Sequence, residues 1–336
     1  MQKIIEKITK KKELGVFLMI IILSALITMV NSSFLTLDNI FDFLRSNATI
    51  GIMAFGMLPV LISGGIDLSC SSVISLCAVV AGYMMAGNPG MNPVLVVCLI
   101  MLLGGFMGLI NGVIITKLKI PPIVTTLGTQ TIILAGVLLY TNGMWISGLP
   151  QWFIDFGKFQ LGSIESAGKL TGLSTQAILM FAAAFVTWLM LKYTLVGRGI
   201  YAIGGNRRSA MRIGYNVDRI EIFIYVYAGL MTGLAAIANI SIVGQVDPNT
   251  YLNYEMDVIS VVVLGGASVM GGVGNVFGTV LGVILMAVIK NGLVLARVPT
   301  YWQKVVMGLI ILITISADVI NRKREQAKLV RVDVEE

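Results

Sequence analysis

The chain contains no histidine, and charged residues make up only 12% of its 336 positions. The absence of histidine excludes histidine metal ligands and histidine acid–base chemistry. Cysteine is scarce too, and all three copies lie inside apolar runs, where we expect them to serve as small packing residues: Cys70, Cys77 and Cys98. Hydrophobic residues make up 57% of the chain. Because the surface of a soluble protein needs far more charge, these numbers indicate a membrane protein.

Two nucleotide-binding motifs are also missing. No Gly-x-x-x-x-Gly-Lys-Ser/Thr segment occurs, which argues against ATP binding by a P-loop. A glycine-rich run at 265–274 is flanked by apolar stretches rather than by a strand, so it is not a dinucleotide fingerprint. The net charge of +7 comes from loops between apolar runs, a pattern that does not favour nucleic-acid binding. We expect no cofactor on this chain.

Long apolar stretches separated by short loops fill most of the sequence. A helix needs ~20 apolar residues to cross a hydrocarbon core of ~30 Å. The predicted spans are 15–31, 47–63, 68–86, 93–114, 122–141, 175–192, 222–243, 256–272, 274–292 and 302–320. The sequence therefore predicts an all-α polytopic membrane protein of about ten helices. Its transmembrane domain is 15–320, with an N-terminal tail at 1–14 and a C-terminal tail at 321–336.

The distribution of lysine and arginine predicts the orientation, because these residues accumulate on the cytoplasmic side. With the N-terminus inside, the inner segments contain 18 of the 24 basic residues. Those segments are 1–14, 115–121, 192–221 and 321–336. The asymmetry favours both termini in the cytoplasm and an even number of spans.

The inner loop at 192–221 contains a pattern typical of a short capped helix. Asn206 can cap a helix over residues 207–213, and Gly214 can end it in a left-handed turn. Such a helix, held between two spans, could transmit a push from a cytoplasmic partner into the membrane. The alternative is a basic loop that only sets the topology. We assign the coupling role to Gly205, Asn206, Arg207, Arg208, Ser209, Ala210, Met211, Arg212 and Gly214.

The outer loop at 143–174 is long and contains Trp145, Trp152 and Phe153. Aromatic side chains prefer the headgroup level, so we expect this loop to lie on the membrane surface. The alternative is a docking surface for an external protein. Glu255 and Asp257, which open the eighth predicted span at the same face, are expected to be solvated and could meet such a protein.

Glycine pairs mark the junctions between the second and third spans and between the eighth and ninth. Small residues there favour close helix packing and a tight reversal of the chain. These glycines are Gly64, Gly65, Gly265, Gly266, Gly271, Gly272 and Gly274. Pro59 lies within the second span, where neighbouring helices can satisfy the freed backbone group.

Asp67 follows the first glycine pair and is the most informative single polar residue. We expect its carboxylate to cap the third span by accepting an N–H bond from Ser69 or Cys70. The alternative, or additional, role is contact with a hydroxyl group of a bound solute. Ionisable and amide side chains inside spans are candidates for a solute path. We nominate Asp67, Asn111, Gln130 and Asn239.

Four motifs in order resemble the permeases of sugar-type ABC importers, in the ribose/xylose/autoinducer-2 branch. They are Gly64-Gly65-Ile66-Asp67-Leu68-Ser69, the stretch 120–128, the loop stretch 197–217, and the glycine-rich run at 264–279 followed by Asn291-Gly292-Leu293. The likeness covers roughly residues 35–320. One departure is Ser69-Cys70-Ser71-Ser72, where the family commonly has Ser-Val-Gly-Ser.

The resemblance implies a subunit without catalytic activity in the bacterial cytoplasmic membrane. It implies a second permease copy or a paralogue, an external solute-binding protein, and a cytoplasmic ATPase that binds ATP and Mg. A ribose-type sugar or a similar solute would cross by alternating access. Two other classes stay open. A secondary transporter would use paired intramembrane carboxylates, for which Asp67 is the only candidate here. A membrane enzyme would need a cluster of catalytic groups, and none is visible.

Overall fold

The computed structural model of the chain describes residues 2–166, 169–310, 312–313, 316 and 319–320. The α-helices are α1 (Gln2–Val30), α2 (Leu37–Ile62), α3 (Cys70–Gly87), α4 (Pro93–Lys117), α5 (Pro122–Thr141), α6 (Gln151–Lys158), α7 (Thr175–Tyr193), α8 (Leu195–Gly205), α9 (Arg207–Arg212), α10 (Val217–Val243), α11 (Tyr254–Leu264) and α12 (Val276–Leu295). A 3-10 turn at Ser32–Leu35 precedes α2, and an antiparallel hairpin pairs β1 (Gln160–Ser166) with β2 (Lys169–Ser174). Residues 300–310, 312–313, 316 and 319–320 are also helical.

Eight of the described helices are long and apolar enough to cross a bilayer, which confirms the all-α polytopic fold. They correspond to the predicted spans other than the eighth and the tenth. The tenth, 302–320, lies partly outside the described residues, and the predicted tail 321–336 lies wholly outside them. Helix α1 begins at Gln2 and therefore takes in most of the predicted N-terminal tail.

The eighth predicted span, 256–272, is wrong as a continuous helix. Helix α11 has only 11 residues and ends at Leu264. At a rise of ~1.5 Å per residue it is ~16 Å long, about half the hydrocarbon core. The apolar composition continues past its end, but the backbone reverses at Gly265 and Gly266 and stays non-helical up to Asn275.

Helix α2 forms the centre of the bundle. Every residue from Asn47 to Ile62 is buried, and α7, α10, α11 and α12 all pack against it. Pro59 lies inside this helix as predicted. Because α2 is surrounded by other helices, any displacement of its end must be shared with several neighbours.

Helices α4 and α10 make the most extensive helix contact in the described chain. Gly104, Gly108 and Gly112 follow one another at four-residue spacing on α4. A Cβ on Gly108 would overlap the backbone of Tyr225, and a Cβ on Gly104 would overlap that of Gly229. The two backbones therefore touch, as small-residue stripes allow in membrane helices.

The outer segment at 143–174 is folded rather than a plain surface loop. It contains α6 and the β1–β2 hairpin, and Phe153 is buried against the bundle. The Trp152 indole donates a hydrogen bond to the carbonyl of Pro89 at 2.9 Å. Trp145 alone of the three aromatics is largely exposed. Phe153 therefore packs inside the protein, and the position of this segment at the headgroup level stays a prediction.

The cysteines divide into two groups. Cys70 and Cys77 are buried in α3, where the packing role is confirmed. Cys98 is exposed on α4, so the packing expectation fails for it within a single chain.

Candidate functional site

The short capped helix predicted in the inner loop is present as α9. The Asn206 side-chain oxygen accepts a hydrogen bond from the Ser209 amide at 3.0 Å. Gly214 adopts a φ of 94°, the left-handed conformation that ends the turn. The helix is one residue shorter than predicted because Ile213 forms the C-terminal cap. Its role in coupling stays a prediction.

A second helix, α8, directly precedes α9 and was missed by the sequence reasoning. It is capped by Thr194, whose hydroxyl accepts from the Gly197 amide at 3.0 Å. Four glycines lower the helical propensity of this stretch, which hides it. The available signal was the spacing of Ile200 and Ile203, which form its buried face. Asn206 alone separates α8 from α9, so the two helices form one unit.

The C-terminal end of α8 touches both glycine junctions at once. We call 62–69, from the last residue of α2, the α2–α3 junction and 265–275 the α11–α12 junction. A Cβ on Gly204 would overlap both the carbonyl oxygen of Ile62 and the amide of Gly272. The Gly272 amide in turn donates to the Ile62 carbonyl at 2.7 Å. The face of the bundle where these three segments meet is called the junction face below.

A tyrosine provides a second link between α8 and the α11–α12 junction. The hydroxyl of Tyr201 donates to the carbonyl of Gly274 at 2.7 Å. A Cβ on Gly274 would come within 2.9 Å of the Ile62 side chain. Gly271 also lies against this contact, because a Cβ there would approach Gly64 and Gly204.

The two junctions begin with the same backbone turn. Gly64 and Gly266 have φ values of 85° and 91°. The following amides, those of Gly65 and Ala267, donate to carbonyls five residues back at 3.0 and 3.1 Å. This is the Schellman ending, which needs a left-handed residue and so favours glycine. Gly265 precedes the second turn and packs directly against the backbone of α12 at Gly278.

Asp67, Ser69 and Asn111 form one buried hydrogen-bonded chain. The Asp67 carboxylate accepts from the Ser69 amide at 2.9 Å and from the Ser69 hydroxyl at 2.6 Å. The Asn111 side chain donates to the same hydroxyl at 2.8 Å. Asp67 is only 4% exposed. The predicted bond from Ser69 is confirmed, although Ser69 rather than Asp67 occupies the cap position of α3.

The other two nominated path residues lie apart from this chain. Gln130 on α5 donates a hydrogen bond to the hydroxyl of Ser71 at 2.9 Å. Ser71 lies on α3, two residues after Ser69. Asn239 belongs to a different cluster, where its carbonyl accepts from the Tyr251 hydroxyl at 3.0 Å. The four residues therefore do not line one site within the chain, and a role in a solute path stays a prediction for each.

Glu255 is not solvated as expected, whereas the Asp257 side chain is 25% exposed. Glu255 is 5% exposed, and one of its carboxylate oxygens has no hydrogen-bond partner. Asp257 forms an ion pair with Lys290 on α12, with 2.7 Å between oxygen and nitrogen. The expectation failed because the preceding segment, 244–253, folds back against the bundle and buries Val246 and Tyr251. Asp67 is thus not the only buried carboxylate.

Two ion pairs connect α10 to its neighbours at the junction face. The Arg207 guanidinium donates a bidentate pair of hydrogen bonds to the Glu221 carboxylate, from Nε at 3.1 Å and from Nη2 at 2.7 Å. These bonds are the main reason that the pKa of Arg207 is raised above its ordinary value. Lys117, at the end of α4, pairs with Asp218 at 3.4 Å, and both side chains are well exposed.

A cavity of about 330 Å³ opens beside the Arg207–Glu221 pair. Its volume falls within the range of small-molecule pockets. It is lined by Ser63, Gly64, Gly65, Ile115, Lys119, Ile120, Pro121, Pro122, Arg207, Glu221 and Tyr225. The cavity therefore joins the α2–α3 junction, the α4–α5 loop, α9 and α10.

Comparison with known proteins identifies a family that covers this whole arrangement. The family described as "Branched-chain amino acid transport system / permease component" matches residues 39–315. The ribose import permease protein of Bacillus subtilis (strain 168) is 39% identical over 308 residues, which are 91% of this chain and 92% of the relative. No solved structure matches the chain significantly.

Two further relatives have different named solutes. The autoinducer 2 import system permease protein of Photorhabdus luminescens is 33% identical over 311 residues, 93% of this chain and 91% of the relative. The galactose/methyl galactoside import permease protein of Salmonella typhimurium (strain LT2) is 32% identical over 330 residues, 95% and 97% of the two chains. These matches span α8, α9 and both junctions, and they confirm the resemblance drawn from the motifs. The chain therefore belongs to the family of branched-chain amino acid transport system permease components, and within it to the permeases of ABC sugar importers.

Proposed function

We propose that the chain moves a ribose-type sugar or a sugar-like solute by alternating access, driven by a separate cytoplasmic ATPase that binds ATP and Mg. Two permease chains, identical or paralogous, enclose the path, and an external solute-binding protein delivers the solute. The membrane is the bacterial cytoplasmic membrane, with both termini and the junction face on the cytoplasmic side. The import functions named for the relatives, and the 18-to-6 distribution of basic residues, support this assignment.

The observation that carries the proposal is the contact of Gly204 with both junctions. Helices α8 and α9 form one unit, so a force applied to α9 reaches Gly204 through only two intervening residues, Gly205 and Asn206. At Gly204 the force acts on the end of the central helix α2 and on the α11–α12 junction. Packed interfaces of this kind switch between discrete arrangements rather than deforming smoothly. The unit can therefore convert a partner's closure into a change of access.

The outer face of α9 is suited to bind the ATPase. Ala210 anchors the helix because it is buried, whereas Arg208, Met211, Arg212 and Ile213 are exposed. Two apolar side chains, Met211 and Ile213, next to two arginines offer both a packing surface and fixed positive charge. Arg207 is less available to a partner because it is bound to Glu221. We therefore assign the contact with the ATPase to Arg208 and Arg212.

The test is solute uptake and ATP hydrolysis by the permease reconstituted in proteoliposomes with its ATPase and binding protein. Replacing both Arg208 and Arg212 by Glu should reduce uptake by roughly tenfold or more, a cost of ~1.4 kcal/mol or greater. Arg219→Glu is the matched control, because this exposed arginine lies at the same face on α10. Equal uptake by the double variant and the control would remove the coupling role from α9.

One observation favours the ion-gradient alternative: Glu255 is a second buried carboxylate with an unpartnered oxygen. Intramembrane carboxylates are the usual sites of proton or sodium coupling. The permease alone, in proteoliposomes with a proton or sodium gradient and without the ATPase, separates the two functions. Uptake under these conditions that is lost in Glu255→Gln would establish the alternative. Uptake only with ATPase and ATP would exclude it.

A further inference from the structure

The cavity at the junction face has a buried polar group that no residue satisfies. Tyr225 is 1% exposed, lines the cavity, and its hydroxyl has no hydrogen-bond partner. Gly65 lies on the same wall, and a Cβ there would come within 2.7 Å of this hydroxyl. Leaving a buried hydroxyl unpaired costs ~1–3 kcal/mol. The hydroxyl therefore lies buried at the wall of the cavity with its hydrogen-bonding capacity unused.

The charges around the cavity do not balance. Arg207 and Glu221 neutralise each other through their bidentate hydrogen bonds. Lys119 also lines the cavity, and it makes no ion pair or hydrogen bond with any of the residues that the structure describes. Lys119, an exposed side chain, is thus left without a counter-ion at the cavity. A site with this balance favours a ligand that carries negative charge.

The N-terminus of α5 adds to the positive potential. Helix α5 begins at Pro122, and both Pro121 and Pro122 line the cavity. No side chain caps this helix end. Because Pro121 and Pro122 have no N–H, the free amides of the first turn are those of Ile123 and Val124. Together with the helix dipole, they favour an anion near this helix end. Three independent features, the tyrosine hydroxyl, the lysine and the helix end, therefore meet at one cavity.

We propose that this cavity binds a phosphate group, presented either by a phosphorylated small solute or by the headgroup of an anionic lipid. A phosphate group supplies a negatively charged partner for Lys119. It also supplies oxygen acceptors for the Tyr225 hydroxyl and the α5 amides. It also competes with Glu221 for the guanidinium of Arg207, which is a preferred partner of phosphate. Binding would then loosen α9 from α10. Only this last consequence for coupling depends on the proposed function.

The binding experiment uses the purified full chain in nanodiscs of phosphatidylcholine, with no ATPase present. The probes are inorganic phosphate and ribose 5-phosphate, measured by titration calorimetry against free ribose. Lys119→Gln should weaken binding about tenfold, and Tyr225→Phe by several-fold. Glu221→Gln should tighten it, because Arg207 is released. Lys117→Gln is the matched control: this lysine is two residues away, does not line the cavity, and should leave affinity unchanged.

The lipid source is tested in the same nanodiscs with phosphatidylglycerol added. If lipid is the ligand, native mass spectrometry will show retained phosphatidylglycerol that is lost in Lys119→Gln and kept in Lys117→Gln. If a soluble phosphate is the ligand, the calorimetric signal will follow the pattern above and added lipid will not displace it. Binding of neither probe, or equal loss in the two lysine variants, would overturn the proposal. Lys119→Arg keeps the positive charge and should retain binding, which shows that the loss in Lys119→Gln comes from the charge and not from misfolding. This comparison still tests the proposal if Tyr225→Phe fails to fold. Because no transport is measured, failure of the coupling model would leave this result unaffected.

Discussion

Gly204 lies so close to Ile62 that a methyl group on the glycine would overlap the isoleucine carbonyl oxygen. This contact joins the end of α8 to the end of the central helix α2. Because the carbonyl of Ile62 also accepts a bond from Gly272, the same point holds the α11–α12 junction in place. The contact therefore joins the α8–α9 unit directly to the bundle.

We predict that Gly204→Ala will reduce coupled uptake while the protein still inserts into the membrane. Overpacking a tight contact costs ~1–3 kcal/mol and must separate α8 from the junctions. Gly205→Ala is the matched control, because it neighbours Gly204 on the same helix and a Cβ there meets nothing within 4 Å. The measurement is solute uptake per ATP hydrolysed in proteoliposomes. Equal values for the two alanine variants would show that the Gly204 contact does not transmit force.

We predict that Arg207 and Glu221 are coupled and that their charges can be exchanged. Arg207→Glu and Glu221→Arg should each lower the thermal stability, and the double variant should recover part of it. Arg207 is about half exposed, so the coupling is worth at most ~1 kcal/mol after screening by solvent. The same double-mutant cycle on Lys117 and Asp218, whose side chains are more exposed, should give a smaller value. A larger coupling for the Lys117 pair would contradict this ranking.

We predict that Asp67→Ala will destabilise the protein more than Asp67→Asn. The alanine variant leaves both the amide and the hydroxyl of Ser69 without their acceptor in a buried site, at ~1–3 kcal/mol per group. Asparagine retains one carbonyl oxygen that can accept these bonds. Thermal unfolding of the detergent-purified variants measures the difference. If the two variants unfold at the same temperature, the buried chain through Ser69 does not stabilise the junction.

We predict that Gly108→Ala will destabilise the contact between α4 and α10. A Cβ on Gly108 would overlap the backbone of Tyr225, so the two helices must move apart at a cost of ~1–3 kcal/mol. Gly128→Ala on α5 serves as control, because no other group lies within 4 Å of a Cβ at that position. The readout is the unfolding temperature, and an unchanged value for Gly108→Ala would refute the close approach.

Local chemistry made several parts of the site readable from residue order alone. The Asn206 cap, the left-handed Gly214 and the Asp67–Ser69 bond each involve residues within three positions of one another. By contrast, α8 was hidden by its own glycines. The apolar residues on both sides of Gly265 led to the prediction of a continuous span at 256–272, although Gly265 itself was named as a helix-break glycine. Glu255 was misplaced because its burial depends on how the 244–253 segment folds back.

The amino-acid sequence by itself determined that the protein lies in a membrane, that it is helical and where the local caps are, because these follow from composition and short-range hydrogen bonding. Only the tertiary structure decided that Gly204, Ile62 and Gly272 meet, and that Lys119, Glu221 and Tyr225 line one cavity. Those contacts join residues far apart in the chain. They form because helix backbones approach so closely that no methyl group fits between them. No residue pattern specifies such an approach.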